Sequence, residues 1–299
     1  MPHIKRISQS VFFVLTFAFI LFSACPTGAQ EETPAVAEVS QKLFRADRTN
    51  VLIFSLIFAG VILTYTKLAK KGKPLFIRKI AGLDALEEAV GRATEMGKPV
   101  LFIPGLQELD EMETIAGISI LGRVAKITAQ YDTPLMVPVR YPLVLAAGQE
   151  AVEQAYIQAG KRDSYNKDCV RYVAGEQMAF AASVNGLMMR ERPAANIFMG
   201  AFFAESLLLA ETGNAAGSIQ IAGTARPEQI PFFIAACDYT LMGEELYAAS
   251  AYLSHEPLLL GGLKGQDLIK VIIIVALVVG MVLILTGNGT RYVELFIPK

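Results

Sequence analysis

Two stretches of this chain carry no charged residue and are long enough to cross a bilayer, and they limit what the chain can fold into. Thr49–Thr66 and Val271–Thr290 are dominated by Val, Ile and Leu, with two Phe in the first. A helix of about 20 apolar residues covers a hydrocarbon core of roughly 30 Å. A charge-free run of that length is seldom a buried core helix. About 200 residues lie between the two runs, enough for one globular domain. The pattern therefore predicts a domain tied to a membrane at both ends.

The first 29 residues carry a third apolar run. Lys5 and Arg6 precede Val11–Ala24, and Cys25-Pro26-Thr27-Gly28-Ala29-Gln30 follows. A basic head, a short apolar core and a small-residue exit make a secretory signal. Cleavage after Ala29, retention as an uncleaved signal anchor, and lipidation at Cys25 all remain open. Either way, 30–48 is expected to be an extracytoplasmic linker and 49–66 to return through the membrane. Lys67, Lys70, Lys71 and Lys73 lie just past that span, and an excess of Lys beside a span marks the cytoplasmic side. The expected order is then a cytoplasmic domain over 67–266, a second span over 267–290 and an extracytoplasmic tail over 291–299. The expected location is a bacterial or archaeal cell membrane.

Composition excludes several classes of function. Pro74–Gln266 holds 22 Asp and Glu against 15 Lys and Arg, the opposite of what phosphate-backbone binding needs. No nucleic-acid partner is expected. The Lys67–Lys73 cluster suits anionic headgroups better. Of three cysteines, Cys25 lies in the signal, and Cys169 and Cys237 read as reduced, buried thiols. The two histidines, His3 and His255, leave no Ser-His-Asp or Cys-His device and no zinc-ligand spacing.

Between the spans, short β-branched runs alternate with helical patterns. Strands are expected at Leu75–Ile80, Val100–Pro104, Leu135–Val139, Val170–Ala174, Asn196–Met199 and Ile219–Ala222. Helices are expected at Leu83–Met96, Leu109–Tyr131, Leu143–Ala159, Glu176–Arg190, Glu205–Glu211 and Pro227–Ser254. Ile80-Ala81-Gly82, Pro99 and Leu101–Gly105 recur at similar offsets as Val173-Ala174-Gly175, Pro193 and Ile197–Gly200, which suggests a duplication. Strands alternating with helices imply a mainly parallel sheet with right-handed crossovers. Two βαβαβα halves in tandem give a Rossmann-like, doubly wound α/β fold.

Such a sheet binds ligands beyond the carboxyl ends of its strands. The glycines expected there are Gly82, Gly105, Gly175, Gly200 and Gly223. The polar residues beside them, expected to converge on one rim, are Glu108, Asp110, Glu111, Arg140, Glu176, Gln177, Glu205, Thr224 and Arg226; of these Glu108, Arg140, Glu176, Glu205, Thr224 and Arg226 join the glycines as the candidate ligand-binding residues. Arg140 and Arg226 are placed equivalently by the duplication. Each reads either as half of an anion site or as a loop holder paired with a carboxylate such as Glu108 or Glu205. The acidic run Glu108, Asp110, Glu111 and Glu113 reads first as a helix start and secondly as a divalent-cation site. No metal site is predicted. No G-x-G-x-x-G follows a strand and no G-x-x-x-x-G-K-[ST] occurs, so no cofactor is expected.

Gly82-Leu83-Asp84-Ala85-Leu86-Glu87-Glu88-Ala89 and Gly91-Arg92-Ala93-Thr94-Glu95-Met96-Gly97-Lys98-Pro99 resemble a family of uncharacterised membrane-anchored prokaryotic domains. Val137-Pro138-Val139-Arg140 and Gly200-Ala201-Phe202-Phe203-Ala204-Glu205-Ser206 extend the resemblance, which covers about Leu75–Gly287. It implies a membrane-tethered α/β domain and supplies no catalytic residues. Absent motifs, together with Ala- and Gly-rich segments such as Ala179–Gly186 and Phe202–Ala210, favour an interaction, scaffold or ligand-sensing module. Its expected partners are the lipid bilayer, a second copy or other membrane proteins. The alternative is an enzyme acting on a small or lipid-linked anionic substrate at the inner membrane face.

Overall fold

Val100-Leu-Phe-Ile103 is enclosed by Pro99 and Pro104-Gly105, and all four residues are buried. A short apolar run between turn residues, buried on both faces, is how a central parallel strand looks. The computed structural model of the chain describes residues 49–71, 81–254 and 256–286. Its first helix is α1 (Thr49–Lys70), followed by α2 (Ala81–Met96). The strand just named is β1 (Val100–Ile103), and α3 (Met112–Gln130), β2 (Leu135–Val139), α4 (Pro142–Gln158) and β3 (Val170–Tyr172) follow. The chain continues through α5 (Gln177–Glu191), β4 (Ala195–Met199), α6 (Glu205–Ala215), β5 (Ile219–Thr224), α7 (Ile230–Ala236), β6 (Tyr239–Met242), α8 (Glu244–Ser254) and α9 (Pro257–Leu285).

The six strands form one sheet in the order β3-β2-β1-β4-β5-β6, and every pairing is parallel. β1 and β4 run flush, from Val100 beside Ala195 to Ile103 beside Phe198. The chain builds outward from β1 on one side and outward from β4 on the other, so the direction of winding reverses between them. Strand alternation sends Val100, Phe102, Ile197 and Met199 to one face, under α2, α3, α4 and α8. Leu101, Ile103 and Phe198 go to the other face, under α5, α6 and α7. There Phe198, Phe202 and Phe233 pack ring to ring, with centroids 5.3–6.2 Å apart.

Two sequence expectations need correction. The single helix expected over Pro227–Ser254 is two helices with β6 between them. Gly243, with φ +59°, ends β6, and Asp238 precedes it and accepts the Gln220 N–H through its carboxylate. Val170–Tyr172, expected to open the second βαβαβα unit, is instead the edge strand beside β2, so the second unit begins at β4. The expected strand Leu75–Ile80 lies outside the described residues, as do 1–48 with their signal and linker, and 287–299.

α1 and α9 are long and apolar enough to cross a membrane. Mean hydropathy reaches 2.0 in an 18-residue stretch of Val51–Lys70 and 3.2 in one of Pro257–Leu285, and those stretches are almost wholly uncovered by protein. They pack antiparallel, with Gly261 against Thr66 and Gly265 against Ile62. A Cβ on Gly261 would lie 2.5 Å from the Thr66 Cα, so only glycine permits this approach. α9 is one continuous helix that starts ten residues before the boundary expected at 267.

Candidate functional site: the carboxyl edge of the sheet

The carboxyl ends of β1 and β4 meet where the winding reverses. Gly105 (φ +83°) and Gly200 (φ +145°) stand back to back there. A Cβ on Gly105 would lie 2.8 Å from the Ala201 nitrogen, and one on Gly200 would lie 2.7 Å from the Pro104 oxygen. The Leu106 N–H donates to the Ala201 carbonyl at 2.8 Å, which joins the two loops directly. Leu106 itself is fully buried among the aromatic residues of the α5–α7 face. Open sheets of this kind hold ligands in a crevice at this reversal.

Arg140, Arg226, Glu176, Glu205 and Thr224, beside the glycines, are engaged with protein. Arg140 follows β2; its Nε donates to the Gly175 carbonyl (2.9 Å) and its NH1 to the Leu106 carbonyl (3.1 Å). Its guanidinium lies 5.0 Å from the centre of the Tyr141 ring. Arg226 follows β5, the strand that mirrors β2 across the central pair. It lies 3.3 Å from both Glu111 and Glu113 and over the Phe203 ring. Neither arginine pairs with Glu108 or Glu205, the carboxylates expected for them.

Glu205 opens α6 and is fully buried. Its carboxylate accepts the Phe203 N–H (2.7 Å) and the Gln177 side-chain amide. Glu176 caps α5, accepting the Ala179 N–H at 2.6 Å. The N–H groups of Met178 and Ala179 hold its carboxyl below the usual range. Glu113, in the first turn of α3, is only 6 % exposed. Burial pushes its carboxyl up, against the pull of Arg226 and a backbone hydrogen bond at Ala225. A carboxylate therefore already sits at the positive end of each helix that starts at the reversal, where an external anion would bind.

The remaining expected residues are placed as follows. Thr224 is buried at the end of β5, and its hydroxyl accepts the Arg226 N–H. Gly223 lies within β5 and takes the Gly200 N–H on its carbonyl; a Cβ there would meet the Met199 sulfur at 2.6 Å. Glu108 is exposed in the loop before α3. Gly82 lies in the first turn of α2, where the absence of a side chain admits Leu241. Leu106 and Phe203, both central to this edge, were outside the expected rim, and Glu113 was read only as a helix-start residue or cation ligand. Leu106 had one sequence signal, an apolar residue straight after Pro-Gly. Among the described residues no His, Cys, Asp and Glu cluster is arranged to hold a metal ion. Burial raises the thiols of Cys169 to about 11 and Cys237 to about 12, which leaves both unreactive near neutrality.

These features define a six-stranded, all-parallel α/β domain flanked by two long apolar helices. The chain belongs to DUF6754, a family whose domain is of unknown function; the family model matches residues 39–294. The match runs through both apolar helices, so they are part of the family's unit. No curated protein and no solved structure matches the chain.

Proposed function

We propose that this chain is a membrane-anchored, Rossmann-like module that works by interaction or ligand sensing and catalyses no reaction at its strand ends. The observation that carries this reading is the closed reversal point. The Leu106–Ala201 hydrogen bond joins its two loops, Leu106 is buried in the adjoining core, and Arg140, Arg226, Glu113 and Glu205 all bind other parts of the chain. Membrane anchoring is supported by two uncovered apolar helices packed as an antiparallel hairpin. Charge-free runs of this length face lipid far more readily than water. The lysines after α1 support a cytoplasmic domain in a prokaryotic membrane.

One observation favours a second reading. Glu113 is a buried carboxylate with a raised pKa at the reversal point, the character of a general acid or base. An enzyme acting at the inner membrane face would use it. An anionic substrate fits poorly, because Arg226 already lies between two carboxylates. Thermal denaturation of the full chain in detergent, screened against nucleotides, sugar phosphates and carboxylic acids, separates the readings. The module predicts no stabilisation that depends on Glu113. A ligand whose stabilising effect disappears in Glu113→Gln would support the enzyme.

A further inference from the structure

A groove lies away from the strand ends. It is a cleft of about 690 Å³ on the outer side of the domain, walled by α2, α3, α4 and the end of α8. α3 lines it with one face: Ser119, Gly122, Arg123 and Lys126 recur at helical spacing. Gly122 leaves the floor open, since a Cβ there would approach nothing closer than the Ala151 carbonyl at 4.0 Å. Asp84 and Glu87 of α2 stand across from the cations. Arg123 reaches Glu87 at 2.7 Å, yet its Nε is buried without a partner. Lys126 has no ion-pair partner among the described residues. The far wall is Tyr252–Ser254, two residues before α9 begins.

The groove thus offers cations on one wall and carboxylates on the other, with no net charge and two cationic groups that lack full partners. An inorganic anion would meet both signs at once. A zwitterion would match each wall with its opposite charge, and the guanidinium fork suits a phosphate. We propose that this groove binds a compact phosphate–amine zwitterion of the phosphoethanolamine type, with Arg123, Lys126 and Ser119 on the phosphate and Asp84 and Glu87 on the amine. The ligand is either a lipid headgroup or a free phosphodiester of the same chemistry. The headgroup source rests on the membrane-anchored reading. Its placement beside the α8–α9 junction would let occupancy bear on the helix leading to the bilayer.

The test uses the full chain in detergent, with glycerophosphoethanolamine as probe and calorimetry as readout. Binding is expected, and Gly122→Leu and Lys126→Gln should each weaken it about tenfold or more. Gly122→Leu fills the groove while favouring the helix, so its melting temperature should not fall. The chain is then placed in nanodiscs of phosphatidylethanolamine or of phosphatidylglycerol. A headgroup site loses probe binding only in the first, through competition by the lipid, whereas a site for a free zwitterion binds equally in both. Absence of probe binding in detergent would overturn the proposal. So would unchanged binding by Gly122→Leu, or inorganic phosphate binding as tightly as the probe. Failure of the membrane reading would look different: the chain would leave the membrane fraction on carbonate washing and still bind the soluble probe.

Discussion

Arg140 and Arg226 occupy matching places after β2 and β5 and do different work. Arg140 binds two carbonyls, at Leu106 and Gly175, and so ties the loop after β1 to the loop after β3. Charge-assisted hydrogen bonds of this kind contribute about 1–3 kcal/mol when one partner is removed. Arg140→Ala should therefore lower stability by that amount, read by urea denaturation, and Arg140→Lys should not restore it, because one ammonium does not reproduce the guanidinium fork. An unchanged midpoint would show that the arginine holds nothing. Arg226 instead lies between Glu111 and Glu113, and the pH dependence there has a definite sign. Burial raises the Glu113 carboxyl in the folded state, so the native chain holds that proton more tightly than the unfolded one. The associated stability is fully present below the ordinary carboxylate value of about 4.3 and is lost as pH rises through the folded value. Glu176 has the opposite sign: its lowered carboxyl contributes stability above the ordinary value and loses it on acidification. Denaturation of the Glu113→Gln variant against pH should lack the decline above pH about 4.3 that the parent shows. A parent and variant with parallel profiles would remove Glu113 from the account.

At the scale of elements, the strand–helix alternation was legible because β1, β2, β4 and β5 are short apolar runs between Pro, Gly and helix starts. β6 was not. Tyr239–Met242 has four residues, lies at the sheet edge and buries only Leu241. It has no apolar run to see, and the helical residues on both sides absorb it into one long pattern. That one missed edge strand also shifted the frame of the repeat. The equivalence of Gly105 with Gly200 survives the shift, because both follow the first strand of a unit. Leu106 was illegible for a different reason. Whether a loop leucine is buried depends on the far loop, at Ala201, some 95 positions away. The glycine pair is a sharp test. Gly105→Val and Gly200→Val each combine a left-handed backbone with a Cβ under 3 Å from backbone atoms. Strain of about 1–3 kcal/mol plus the clash should lower the melting temperature of both. Two variants that melt like the parent would contradict the joined loops. In the helix pair the matching contrast is Gly261→Leu against Gly262→Leu. The first meets the α1 backbone and should destabilise the chain; the second has nothing within 4 Å and should not.

At the scale of the whole molecule, the hairpin of α1 and α9 puts both of its domain-side ends together, so a single domain between two spans is geometrically consistent with one membrane. The glycines that allow the hairpin, Gly261 and Gly265, lie in the first part of α9, before its charge-free run. Arg140, Arg226, Glu176 and Glu205 of the expected rim bond within the chain, so the outer groove and the two apolar helices stand beside the strand ends as places to test. What the chain does then depends first on where its domain sits. The most direct measurement is a pair of reporter fusions after Gly72, just beyond α1 and its lysines. A reporter active only in the cytoplasm should be active there, and one active only outside the inner membrane should be silent. The reverse pattern, or a chain that washes out of the membrane fraction with carbonate, would contradict a membrane-anchored cytoplasmic module.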